Sequence, residues 1–188
     1  DITVADRLEA KKETIMKNLL QEYIKENLLL EKKKASFVIS KKRVFYDEEV
    51  ELQNDSDKQA QVLSSNISEY VEQKERYSDF QTMLFHFIDE RNLKDSDVYN
   101  KVHIDRRLFS KIRSDKNYHP SKETILLLGF ALELNEEEIV RLLDSASYSL
   151  PKNNYYDLII RFCFIHKIYK LTEVNELLEE YHCKLFSY

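Results

Sequence analysis

The sequence predicts an all-α protein, and three observations carry the prediction. The 188 residues include one Gly and two Pro, so few turns that need positive φ can be built; long helices with short polar connectors are favoured over a many-stranded β fold. Apolar side chains recur at spacings of three and four along most of the chain, the repeat of an amphipathic helix. Ahead of several such runs stands Asp, Ser, Asn or Thr, whose side-chain oxygen can satisfy the free N–H groups of a first turn.

Bulk composition narrows the class. An apolar fraction of 43% beside 34% charged residues of both signs is that of a globular protein with solvated helix faces. The formal charge of −5 argues against indiscriminate coating of nucleic acid, while leaving room for a local basic face. No run approaches the roughly 20 apolar residues of a membrane span, and no charged-then-apolar secretory start is present, so the expected location is cytoplasmic with no membrane partner. Cys163 and Cys183 lack C-x-x-C spacing and are expected as reduced, buried thiols.

Taken in order, residues 5 to 31 carry Leu8, Ile15, Leu19, Leu20, Tyr23, Ile24 and Leu28 at helical spacing, one long amphipathic helix. Its stripe must pack on the following domain, on a second copy or on a partner, since such a helix is unstable in isolation. Residues 32 to 46, "KKKASFVISKKRVFY", hold six basic residues and no acid, with β-branched and aromatic clusters flanking "SKKR". A short β hairpin near 36–46 is the expected form, serving either as a basic arm or as a surface strand pair with lysine-blunted edges. The acidic "DEEVELQNDSD" follows, and "QNDSDKQA" at 53–60 is the linker candidate, dividing the chain into 1–60, a helix plus basic and acidic arm, and 61–188, a helical domain. Helices are expected near 61–76, 79–91, 96–102, 106–114, 122–132, 136–146, 154–168 and 173–182, with Asp105, Ser121, Asn135 and Thr172 as caps and Asn135 with Glu138 as a capping box. No repeat at a fixed period is visible.

Between Phe80 and Leu143 the helices are short. Val98 and Val102 share one face, a short connector follows, and Phe109 and Ile112 share the face of the next helix, with Ile104 placed to plug the angle between them: a helix-turn-helix pattern. Through "VYNKVHIDRRLFSKIRSDKNYHPSKETILLLGFALELNEEEIVRLL", residues 80–146 resemble the Cro/C1-type (XRE-like) helix-turn-helix fold. "DVYNKVHIDRRLFSKIRSDKNYHPSKET" with "YYDLIIRFCFIHKIY" is also similar to a C-terminal module of bacterial multidomain proteins, including some that carry a macro domain. The resemblance implies a helix-turn-helix bundle with extra C-terminal helices at 154–182 and an N-terminal helical arm. It further implies that Arg106, Arg107, Ser110 and Lys111 face a DNA groove, with Arg113, Ser114, Lys116, Asn117 and Tyr118 near phosphates.

Three positions depart from that family. Asp95 stands where the family usually has a phosphate-contacting Gln, and a carboxylate there repels phosphate. Tyr99 replaces a small residue, and His103 replaces the turn Gly, so His103 must take a left-handed conformation or the turn must be rebuilt. Arg106, Arg107 and Lys111 equally fit solvent-side partners of Asp97 or Glu123.

No catalytic chemistry is signalled. The single Gly, Gly129 in "LLLGFAL", makes no phosphate loop and is expected at a close helix crossing. Histidines 86, 103, 119, 166 and 182 form no i,i+4 pair for a metal, and His182 beside Cys183 would point about 100° away on a helix. The expectation is a non-enzyme with no cofactor, metal or small-molecule substrate, a binding module for protein recruitment or regulation. Leu19, Tyr23, Ile24, Phe162 and Ile165 are its candidate contacts with a partner or second copy; the alternative is a DNA-binding regulator or antitoxin-like subunit on double-stranded DNA.

Overall fold

The computed structural model describes residues 3–45 and 79–187, and every regular element among them is a helix. The expected linker at 53–60, the helix at 61–76 and the domain boundary lie outside these residues. Helix α1 (Val4–Phe45) runs for 42 residues, about 63 Å at 1.5 Å per residue. It starts on a reciprocal cap: the Thr3 N–H donates to Asp6 Oδ2 at 2.9 Å and the Asp6 N–H donates to Thr3 Oγ1 at 3.2 Å. The hairpin expected near 36–46 is not formed, because the helix continues to Phe45. Nothing between Lys32 and Phe45 stops it: the segment has no Gly, Pro, Asn or Asp, and its lysines are good helix formers.

The body comprises α2 (Phe80–Glu90), α3 (Asp95–Lys101), α4 (Arg106–Ser114), α5 (Lys122–Ala131), α6 (Glu136–Ser145), α7 (Tyr155–Ile165) and α8 (Leu171–Glu180). Helix α3 packs on α4 and α5, α6 on α2 and α5, and α7 on α6, α8 and α1, around one contiguous core. The near-continuous apolar surface of "YYDLIIRFCFI" thereby becomes the centre of the C-terminal half, with Leu158 through Ile160 and Phe162 through Phe164 buried. Gly129 sits at a close crossing as expected: a Cβ there would lie 2.5 Å from Ile139 Cδ1 and 3.1 Å from Phe164 Cζ.

The expected caps at Asp105, Ser121 and Asn135 are made, the last with its reciprocal Glu138 bond. Asp79 and Asn154 cap α2 and α7 in the same way. Thr172 does not cap α8. Leu171 is already helical and buried, so Thr172 falls inside the first turn and Lys170 takes the cap position without a side-chain bond.

With its one Gly committed to a crossing, the chain ends its helices on other residues. Asn92, His103, Glu133, Ser147, Lys167 and His182 all adopt φ between 51° and 61°. Each is followed by a residue whose N–H reaches back to the last turn: Leu93 to Ile88, Ile104 to Tyr99, Leu134 to Gly129, Tyr148 to Leu143, Ile168 to Cys163 and Cys183 to Leu178. This is the Schellman closure, a left-handed residue followed by a residue turned back onto the helix. The pattern also uncovers a repetition that fixed-period inspection misses. Gly129-Phe130, Glu133-Leu134 and Leu142-Leu143 of α5–α6 hold the same places as Cys163-Phe164, Lys167-Ile168 and Leu177-Leu178 of α7–α8. The two equivalent rings, Phe130 and Phe164, stack on each other at 4.5 Å and 7°.

Candidate functional site

Helices α3 and α4 meet through the residues whose spacing suggested it. Val98, Val102, Ile104, Phe109 and Ile112 are all buried, and the Tyr99 ring lies 5.5 Å from Phe109, so its bulk fills the angle between the helices. His103 takes the left-handed conformation at φ 55°. Asp105 opens α4 by accepting from the N–H of Arg107 at 2.7 Å. At the other end Gln81 of α2 donates to the carbonyls of Ile112 and Arg113 at 2.6 and 2.7 Å, closing off α4 from thirty residues upstream in the chain.

The outer face of α4 presents Arg106, Arg107, Ser110 and Lys111, all exposed. Among the described residues no ion pair engages Arg106, Arg107 or Lys111; the Lys111 ammonium instead sits 4.5 Å from the centre of the Tyr118 ring. Their suggested acidic partners are occupied: Asp97 accepts from the Lys94 N–H, and Glu123 pairs with Lys184 at 2.5 Å. Lys116 and Asn117 are exposed on the turn after α4, which Asp115 organises by accepting the Asn117 N–H at 3.0 Å. The carboxyl of Asp79 lies below its ordinary value, first through the Thr82 N–H and in smaller part through Lys116.

Arg113 behaves differently from its neighbours. It donates to Asp95 through Nε at 2.6 Å and through its terminal nitrogen at 2.5 Å, and its guanidinium covers the Phe85 ring at 4.0 Å. The acid at the start of α3 is therefore held in a two-pronged pair, and Arg113 is withdrawn from the set of free cations. Between the two helices lies an open notch of about 400 Å³, bounded by Lys94, Ser96, Arg106 and Ser110 as well as by that pair.

The second set of candidate residues divides. Ile24 and Phe162 are buried inside the molecule, and Tyr23 lies 5.6 Å from Phe162, so these three hold α1 against α7. Burial raises the Tyr23 phenol above its ordinary value, and among the described residues its hydroxyl and the Nε of Arg161 have no hydrogen-bond partner. Leu19 and Ile165 remain 41% and 40% exposed. The stripe read as one surface is in fact two: Met16, Leu20, Tyr23, Ile24 and Leu28 face the body, whereas Val4, Leu8, Ile15, Leu19 and Leu30 face outward. Angular bookkeeping at about 100° per residue separates these two sets from sequence alone.

Cys163 is fully buried, which pushes its thiol well above the usual range, and Cys183 is raised in the same direction by partial burial. Among the described residues no group of three or more His, Cys, Asp and Glu side chains is arranged to hold a metal ion, and no helix is long and apolar enough to cross a membrane. A groove of about 410 Å³ between α1 and the α7–α8 turn is lined by charges of both signs, Lys12, Lys17, Lys167 and Lys170 against Glu9, Glu13, Glu173 and Glu176. Compared with protein families, curated proteins and solved structures, the chain matches none.

Proposed function

We propose that the chain is a non-catalytic helical binding module that works by protein contact, recruiting or regulating a partner or a second copy of itself. The observation that carries this is the outward face of α1, where Val4, Leu8, Ile15, Leu19 and Leu30 are all more than 40% exposed on a helix whose opposite face is already committed to the body. Exposed apolar residues recurring along one face, with Lys12, Glu22 and Glu26 between them, mark a candidate interaction surface, in contrast to single exposed leucines. The test uses the full chain as bait, with Leu8→Glu/Ile15→Glu as its pair. Capture of a protein by the unaltered chain and its loss from the variant is the expected result. Equal capture by both would remove the surface from consideration.

A second reading has its own observation: three exposed cations on α4, Arg106, Arg107 and Lys111, that pair with no acid among the described residues. In the helix-turn-helix arrangement that the sequence resembles, this face meets double-stranded DNA, as in a transcriptional regulator or an antitoxin-like subunit. Fluorescence anisotropy against a mixed-sequence duplex at two salt concentrations, with the triple alanine variant alongside, decides it. Salt-sensitive binding lost in the variant supports DNA contact; unchanged binding by the variant sinks this reading.

A further inference from the structure

We propose that the outward face of α1 pairs antiparallel with the same face of a second copy of this chain, with the two-fold axis at about the level of Lys17. The inference rests on reading α1 as a contact surface and adds the occupant and the register. At about 100° per residue, Leu8, Ile15 and Leu19 lie in one stripe with Lys12, Glu22 and Glu26 between and beyond them, roughly 140° around the helix from Leu20 and Ile24. The stripe follows the alternating three-and-four spacing of a coiled-coil seam. The body, seated through α7 on the side of Leu20 and Ile24, leaves Leu8, Ile15 and Leu19 exposed, and Lys12 is exposed at the border of the groove beside the α7–α8 turn.

Charge selects the direction. Antiparallel pairing about Lys17 sets Ile15 against Leu19, Lys12 against Glu22 and Val4 against Leu30, each twice by symmetry, with Leu8 along the stem of Glu26. Each of these side chains is exposed in the single chain, so the pairing needs no rearrangement of the body. Parallel pairing in register would set Lys12 on Lys12, Glu22 on Glu22 and Glu26 on Glu26, three like-charge contacts along the same seam. Lys12 and Glu22 are thus complementary when one copy is reversed and meet like charges when the copies run parallel in register.

Sedimentation equilibrium of the full chain is expected to show a dimer. Ile15→Glu/Leu19→Glu places four carboxylates at the centre of the pair and should weaken it on the order of a hundredfold or more, with unchanged helix content because both positions are exposed. Register is read by cysteine cross-linking on a Cys183→Ser background. Lys12→Cys/Glu22→Cys should form a disulfide-linked dimer on mild oxidation, whereas neither single variant should. A cross-link in Lys12→Cys alone would show parallel pairing and overturn the register. A monomeric unaltered chain at hundreds of micromolar would overturn self-pairing itself, while the bait experiment separately reads whether the face contacts any other protein.

Discussion

Replacing Lys167 by Gly should stabilise this protein, although glycine is among the poorest helix formers. Lys167 sits at φ 56° just past α7, exposed and in no ion pair among the described residues, with the following Ile168 N–H closing the helix on the Cys163 carbonyl at 2.8 Å. Holding an L-residue left-handed costs roughly 1–2 kcal/mol, and the greater freedom of Gly in the unfolded chain takes back about 0.5–1 kcal/mol. The net expectation is a gain of about 0.5–1 kcal/mol, or roughly 1–4 °C in melting temperature for a chain of 188 residues. Chemical denaturation is the assay, with a higher midpoint and an unchanged slope as the signature. Arg141→Gly, at an exposed site inside α6, is the control and should lose about 1 kcal/mol. Glu133→Gly should gain less than Lys167→Gly, since it also gives up the 2.5 Å pair with Lys101, a surface contact worth at most about 1 kcal/mol. If Lys167→Gly destabilised as Arg141→Gly does, the left-handed helix stops would be wrong, and with them the account of how a chain with one Gly turns so often.

Two further expectations concern the core. Gly129→Ala brings a methyl within 2.5 Å of Ile139 Cδ1, so overpacking of about 1–3 kcal/mol should outweigh the ~1 kcal/mol of helix propensity gained; adding Ile139→Val, which removes that Cδ1, should cost less than the sum of the single losses, and strict additivity in denaturation would count against the crossing. Burial holds the Cys163 thiol protonated in the folded protein, so alkylating reagents should reach Cys183 first and Cys163 only through unfolding. The unfolded thiol ionises near ~8.5, so the stability linked to this group is full below that pH and erodes as pH rises toward the raised folded value; Cys163→Ala should flatten that alkaline decline in melting temperature.

The helices of the body were legible because their signals are local. Caps such as Ser121 and the Asn135–Glu138 box, and the paired spacing of Val98, Val102, Phe109 and Ile112, act within a few residues and survive tertiary context. The left-handed conformation of His103 is one of the two outcomes left open by the resemblance, whose members have Gly in that turn. The end of α1 was not legible. β-branched and aromatic clusters around "SKKR" suggested strands, but strand propensity is decided by packing, and without a turn residue between Lys32 and Phe45 the helical backbone simply continues. The repetition of α5–α6 in α7–α8 escaped because its offset slips from 34 residues, as from Phe130 to Phe164, to 35, as from Leu142 to Leu177, so no fixed period carries it. Asp95 was legible as a repulsive charge, while its bond to Arg113, eighteen positions along, needed the folded geometry.

That pair links the two readings of function. A lone carboxylate at the start of α3 would oppose a phosphate by roughly 1–4 kcal/mol at contact distance, depending on the local dielectric. Held by both prongs of Arg113 above Phe85, Asp95 loses most of that repulsion, and the same bond removes Arg113 from the positions the resemblance assigned to phosphate. Of the cations that the resemblance assigned to DNA, Arg106, Arg107, Lys111 and Lys116 remain, so this face would contribute a slope of about −4 in log K against log salt. Four contacts make a weak duplex ligand at physiological salt. Two copies joined through α1 would carry twice as many, so a self-paired protein that met one duplex through both α4 faces would show a steeper slope than the single chain.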